Sequence, residues 1–286
     1  MKHTMNKKLD ISMQHRFLMP LLVIVIFASS PYGTAGLFAQ NLESRDTVLG
    51  NKYNLSQFWH ETIGFCVQPT KWDGGDWLRI GVWSGATFLT MQVDQPIRDA
   101  VLKDRSYFYS VPIEGARMYG ELYSPFVFFG GFAIHYWITD NITSRKIAYE
   151  VGQACLYTGA LELFMKSLIG RARPYMNEGR ATYHTFTFVG DEYHSLPGGH
   201  TATAFVISTV LSRNVDPTWL KVLLYVPTVL TPISRIYQDM HWTSDNVLGG
   251  AIGFFIATWV VDVHERNDSR VHVSSIFPLT ISITLN

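Results

Sequence analysis

Three short stretches of this chain carry residue types that together could transfer a phosphoryl group. The first opens with Lys166 and reaches Arg173-Pro174 after six intervening residues. The second is Pro197-Gly198-Gly199-His200, and the third begins Ser234-Arg235, then places His241 five residues on and Asp245 three beyond that. Phosphoryl transfer needs cations around the equatorial oxygens and an in-line pair of attacking and leaving atoms. Lys166, Arg173 and Arg235 supply three cations, and a guanidinium can engage phosphate through two parallel hydrogen bonds. Gly198 and Gly199 leave room for the backbone to approach an oxyanion, and a helix opening near Thr201 would aim its N–H groups the same way. His241 and Asp245 stand at helical spacing, so the carboxylate is expected to hold the imidazole tautomer while the other ring nitrogen attacks phosphorus. His200 is left as general acid for the departing oxygen and as base for the water that follows. This charge set can replace the Mg²⁺ used by other phosphatases, so neither metal nor cofactor is expected.

Each piece alone has a plainer explanation. Lys166 and Arg173 could be helix-end charges, Pro197-Gly198-Gly199 a turn, and His241 with Asp245 a capping or core pair. Those explanations account for neither the spacing nor the order.

The three blocks must sit on elements that bring them together, and apolar patterning predicts six helices: Trp77–Gln92, Met118–Ile138, Ile147–Met165, Thr201–Arg213, Leu220–Ile233 and Asn246–Val263. All three blocks fall where such helices begin or end, so a bundle can gather them at one end. Residues 41–75 read as a polar, glycine-spotted lead-in, and 93–117 as a loop or surface helix. Pro227 and Pro232 should kink or break the fifth helix. From Leu279 to Leu285 apolar residues alternate with Thr280, Ser282 and Thr284, the period of a half-buried strand, whose partner is not evident beyond a weak candidate in Thr47–Leu55. The expected fold is all-α, a six-helix bundle with a short C-terminal strand. Its divisions are a signal or anchor over 1–40, a lead-in and first helix over 41–117, a core over 118–265 and a tail over 266–286.

With these residues in view, the chain resembles the type-2 phosphatidic acid phosphatase and vanadium haloperoxidase superfamily, in its membrane-associated lipid phosphatase branch. Lys-six-Arg-Pro, Pro-Ser-Gly-His and Ser-Arg-five-His-three-Asp are that family's three signatures, and the likeness covers roughly 118–263 in the family's order. The resemblance implies a helical bundle and metal-independent hydrolysis of phosphate monoesters or diphosphates through a phosphohistidine. It implies phosphate binding by Lys166, Arg173, Ser234, Arg235 and the Gly199 N–H, with His200, His241 and Asp245 catalytic. One position departs: Gly198 stands where the family has serine, removing one charge-assisted hydrogen bond worth ~1.5–3 kcal/mol. Weakened or retuned turnover is expected, with the Gly198 backbone still available. Two rival readings keep the site: a haloperoxidase holding vanadate on His241, and a phospholipid-binding relative disabled at Gly198.

Composition narrows the setting. The 286 residues are 47% hydrophobic and balance 23 basic against 23 acidic side chains, which leaves no general electrostatic case for nucleic acid. Lys2, Lys7, Lys8 and Arg16 precede the apolar run Phe17 to Ala28 and then small residues, the layout of a secretory signal or an N-terminal anchor. An exported protein of the cell envelope is expected, its site on the periplasmic side and its substrate a phosphorylated lipid or polyprenyl diphosphate. Only the sixth helix approaches the ~20 residues a span needs, so the bundle either spans the membrane, lies against it or is soluble. The oligomeric state is not legible. Trp72, Trp77, Trp83 and Trp137 suit an interfacial belt or ordinary packing. Cys66 and Cys155 read as buried thiols, and His184, Asp191, Glu192 and His194 as a solvated loop.

Overall fold

The structure, a computed structural model, describes residues 52–106, 108, 110–268, 271–273 and 281–283. The predicted signal or anchor therefore lies outside the described residues, as does the start of the lead-in.

The described chain is helical. Its α-helices are α1 Leu55–Val67, α2 Gly74–Met91, α3 Asp94–Leu102, α4 Val111–Tyr119, α5 Ser124–Thr139, α6 Ile142–Ile169, α7 Gly199–Arg213, α8 Thr218–Leu223, α9 Val226–Tyr237 and α10 Thr243–Asp268. The all-α expectation holds, with the helices more finely divided than the six read from periodicity. A helix break falls at Leu224 and Tyr225, just ahead of α9, whose first turn holds Pro227, whereas Pro232 is carried inside that helix. The stretch read as a loop or surface helix forms α3 and α4. The expected strand forms as β2 (Ile281–Ile283), antiparallel to β1 (Val271–Val273), so its partner is ten residues away rather than in the lead-in.

Helix α1 corrects the reading of 41–75 as irregular. Asn54 caps it, its side chain accepting from Gln57 N at 2.9 Å, which satisfies one of the orphan N–H groups of the first turn. Leu55, Trp59, Ile63 and Val67 recur every fourth residue, yet all four are exposed. The face turned to the bundle is instead polar and aromatic. Glu61 accepts from Gln153 at 2.8 Å and meets His264 at 3.2 Å, while Phe65 stacks on Tyr157. His264 Nδ1 lies 3.0 Å from Glu150, so two buried carboxylates face both nitrogens of one imidazole and tie α1 to α6 and α10.

The core lies where α7 crosses α10 and both meet α6: Ala202, Val206, Val210, Val151, Ala257 and Val260 have essentially no exposed surface. The crossing is tight because α10 presents glycines four apart. A Cβ on Gly249 would sit 2.3 Å from Gly198 O, and one on Gly253 would sit 2.2 Å from Ala202 O. The N-terminal turns of α7 and α10 are thereby held side by side, which is what the site requires.

Candidate active site

The chain leaves α6 through Gly170, whose φ of +61° is a left-handed C-cap and whose missing side chain admits the His184 carbonyl. This sharp exit lays Arg171 and Arg173 along the ends of α7 and α10. Arg173 is buried and held in place by Asp191 and Met240. Its Nε donates to Asp191 O at 2.7 Å, its Nη2 to Asp191 Oδ1 at 2.5 Å, and its Nη1 to Met240 O at 2.9 Å. The same Nη1 lies 3.2 Å from His241 Nε2. Asp191, read as solvated loop, is thus the anchor of a site arginine.

His241 is almost entirely buried, and its Nδ1 donates to the Ser195 carbonyl at 2.8 Å. A carbonyl can only accept, so the neutral ring carries its proton on Nδ1 and its lone pair on Nε2. Burial, then Arg173, Lys166, Arg235 and His200, hold this imidazole well below its ordinary pKa. The ring is therefore neutral and nucleophilic at neutral pH.

Asp245 differs from expectation. Its Oδ2 is 3.8 Å from His241 Nδ1, beyond hydrogen bonding. That oxygen instead accepts from Ser195 Oγ at 2.5 Å and from Trp242 N at 2.8 Å, while Oδ1 accepts from Arg171 at 2.6 Å. It holds the two segments that hold His241: Ser195, which presents the carbonyl, and the backbone beside the ring. The carboxylate acts one bond further out than helical spacing suggested.

Gly198 caps α7, but its N–H donates to Asp245 O at 2.8 Å and is not free for phosphate. Gly199 begins α7, where the first N–H groups have no intrahelical acceptor. A Cβ there would press at 3.1 Å on both Glu162 Oε2 and Lys166 Nζ, so Lys166 stands beside the α7 N-terminus. Arg235 is buried in the last turn of α9, with Nη1 donating to Gln238 at 2.7 Å and Nε without a hydrogen-bond partner. Ser234, one residue earlier, turns its hydroxyl back onto Thr231 O at 2.7 Å and is fully buried. It is the one predicted binding residue whose side chain is committed to its own helix.

His200 sits in the first turn of α7, its ring centroid 6.2 Å from that of His241. Its Nε2 lies 3.4 Å from Glu121 Oε2, close enough for ion pairing and too poorly aligned for a hydrogen bond. His200, His241, Arg173, Arg235 and Lys166, drawn from three stretches of chain, therefore converge at one end of the bundle.

Several contributors escaped the sequence reading. Arg171 lies within the first block, yet its role shows only here. Fully buried, it donates to Asp245 at 2.6 Å, Ser244 Oγ at 2.7 Å and Asp94 at 2.8 Å. Asp94 opens α3 and accepts from both the N–H and the hydroxyl of Ser244. Trp242 donates from Nε1 to Ala172 O, and the guanidiniums of Arg98 and Arg171 lie 5.7 and 5.5 Å from its ring centroid. Ser195 and Glu121 carry no spacing signal, because their partners are distant in sequence.

Parts of the chain are similar to known proteins. The family model described as the PAP2 superfamily matches residues 147–269. The chain is similar to a lipid A 1-phosphatase of Porphyromonas gingivalis, with 33% identity over 97 residues, covering 32% of this chain and 22% of that one. It is similar to an undecaprenyl-diphosphatase of Sulfolobus acidocaldarius, with 25% identity over 134 residues, covering 43% and 62%. The chain thus spans less than two thirds of either relative. Among solved structures, Aquifex aeolicus LpxE superposes with a TM-score of 0.47 at 21% identity, covering 59% of this chain and 94% of that chain.

Proposed function

We propose, from the premise that residues 147–269 are a PAP2 superfamily segment, that this chain is a metal-independent phosphatase of phosphorylated lipids. The observation that carries the reading is the tautomer of His241: the Ser195 carbonyl takes the Nδ1 proton and leaves the Nε2 lone pair beside Arg173. Nε2 attacks phosphorus, the bond from phosphorus to the leaving oxygen breaks, and His200 gives that oxygen its proton. Water then attacks the phosphohistidine, His200 takes the water's proton, and the phosphorus–nitrogen bond breaks to release phosphate and free His241. Lys166, Arg173, Arg235 and the Gly199 N–H hold the phosphoryl oxygens through both steps, the fixed positive charge standing in place of a metal ion. Asp245 supports the ring through Ser195 and the Trp242 backbone.

The substrate class is a lipid-linked phosphate monoester or diphosphate, consistent with the names of the two relatives above. The protein is membrane-associated. Residues Thr243–Arg266 of α10 are long and apolar enough to cross a bilayer, and the outward faces of α1, α2 and α5 are aromatic and aliphatic. An exported site on the periplasmic side follows from the basic-then-apolar N-terminus. The test is phosphate release from a panel of phosphatidate, polyprenyl diphosphate and lipid A 1-phosphate in EDTA. Wild type is expected to turn over with chelator present, and His241→Ala to lose ~10⁴-fold or more of the rate. Strict dependence on Mg²⁺ would end the proposal.

A further inference from the structure

A half-buried carboxylate outside the family segment bears on the second histidine. Glu121 lies in the turn between α4 and α5, and that turn approaches α7 more closely than any side chain would allow. A Cβ on the preceding Gly120 would stand 2.4 Å from His200 O. The missing side chain lets the turn rest on the His200 backbone and brings Glu121 Oε2 to 3.4 Å from His200 Nε2. Glu121 is itself held, because Arg117 pairs with its Oε1 and is tied in turn to Glu114 at 2.9 Å. On the ring, Nε2 is shut off from solvent and has no hydrogen-bond partner, and no protein group among the described residues hydrogen-bonds Nδ1.

We infer that Glu121 is the positioning residue of His200, holding the proton on Nε2 so that Nδ1 is the atom that gives and takes protons in the reaction. The inference rests on the phosphohistidine reading above for its catalytic consequence, but not for its geometry. The imidazolium carries a proton on each nitrogen. Nδ1 gives its proton to the leaving oxygen, Nε2–H stays against the carboxylate, and the Nδ1 lone pair is then ready for the proton of the attacking water. Loosely aligned contacts of this kind tighten as charge develops on the ring. The two histidines are thus set in opposite tautomers: a carbonyl fixes Nδ1–H on His241, and a carboxylate fixes Nε2–H on His200.

The charges around His200 make the carboxylate necessary. Burial holds the ring below its ordinary pKa, Glu121 is the group that raises it, and Arg235 from α9 and Lys166 from α6 add to the lowering. Reciprocally, contact with His200 draws the Glu121 carboxyl down to about 2, against the effect of its burial. Replacing the carboxylate by an amide therefore makes the imidazolium harder to keep. The alkaline limb of kcat moves to lower pH.

The test compares Glu121→Gln with wild type, full-length in detergent, on an alkyl phosphate and on a nitrophenyl phosphate. The aryl leaving group needs little protonation. The expected result is a loss of ~10- to 100-fold on the alkyl ester, a change within ~3-fold on the aryl ester, and an alkaline limb lowered by about one pH unit. Equal losses on both esters with an unmoved limb would mean a merely structural role and overturn the inference. A second measurement is independent of turnover: ¹⁵N NMR of His200 should show the Nε2–H tautomer in wild type and a lower pKa in the variant. An Nδ1–H ring in wild type, or a pKa that Glu121→Gln leaves in place, overturns it as well. If wild type releases no phosphate while His200 reads as Nε2–H, the phosphatase reading fails and the placement by Glu121 stands.

Discussion

Gly198 shows how a single residue changes meaning once its neighbours are known. From the family signature, serine at this place would add a hydroxyl to the phosphate site, and its restoration should modestly raise turnover. The backbone here, with φ of −78°, would accept a side chain, but the space would not. A Cβ would stand 2.9 Å from Asn246 Oδ1 and 3.0 Å from Asp245 O. Asn246 cannot swing aside freely, since it accepts from Thr201 at 2.6 Å and donates to Trp242 O at 3.0 Å. Relief would require moving the first turn of α10, which carries Asp245. Gly198→Ser is therefore expected to cost ~1–3 kcal/mol of stability and to bring no gain in phosphate release. A thermal melt and a rate measurement on the same preparation check this, and a faster enzyme with an unchanged melt would refute it.

At the scale of elements, the site depends on a clamp between α3, the exit from α6 and the start of α10. Arg171 joins Asp94 to Asp245 with all three side chains buried, so removing the cation leaves two carboxylates unpaired in a low-dielectric interior. Arg171→Met is expected to cost ~3–5 kcal/mol in denaturant unfolding. The exposed Arg79–Asp76 pair on α2 offers a control, where Arg79→Met should cost no more than ~1 kcal/mol. Equal effects at the two sites would show that the clamp is not what joins these elements. The arginine was visible in the sequence and its partner was not, because Asp94 sits 77 residues away in a stretch without periodicity. Helix α1 was missed for a related reason. Its apolar stripe at every fourth residue faces outward, and its inward face carries Phe58, Glu61 and Phe65, helically spaced but broken by a carboxylate, so apolar patterning does not mark it.

For the molecule as a whole, the outward faces raise the question of solvent. Trp59 is 65% exposed, Trp77 58% and Trp137 81%, alongside Leu55, Leu78, Leu89, Phe126 and Ile138. Soluble monomers rarely leave apolar surface of this extent to water, and under the proposed membrane association a bilayer would supply the partner that the bundle does not. Trp72 and Trp77 meet edge to face at 5.0 Å, so the tryptophans serve packing and surface together. Cys66 departs from the expected buried thiol and is exposed on α1. In vesicles of brominated phospholipid the tryptophan fluorescence should be strongly quenched relative to ordinary vesicles, since contact with lipid tails brings bromine to the rings. Equal emission in the two would show that this belt does not enter lipid.

The sequence by itself determined the chemistry on offer: three cations, two histidines, a glycine turn and a carboxylate in a spacing that points to phosphoryl transfer. It also determined that helices carry them, because apolar periodicity is a local property of the chain. The tertiary structure decided what each group meets. Whether Asp245 touches His241 or supports it through Ser195, whether the Gly198 N–H is free, and whether a carboxylate reaches His200 all depend on separations of a few ångströms between segments far apart in sequence. Local spacing sets which side of a helix a residue occupies; only the packing of α7 against α10, through glycines that let two backbones meet, sets what stands opposite it.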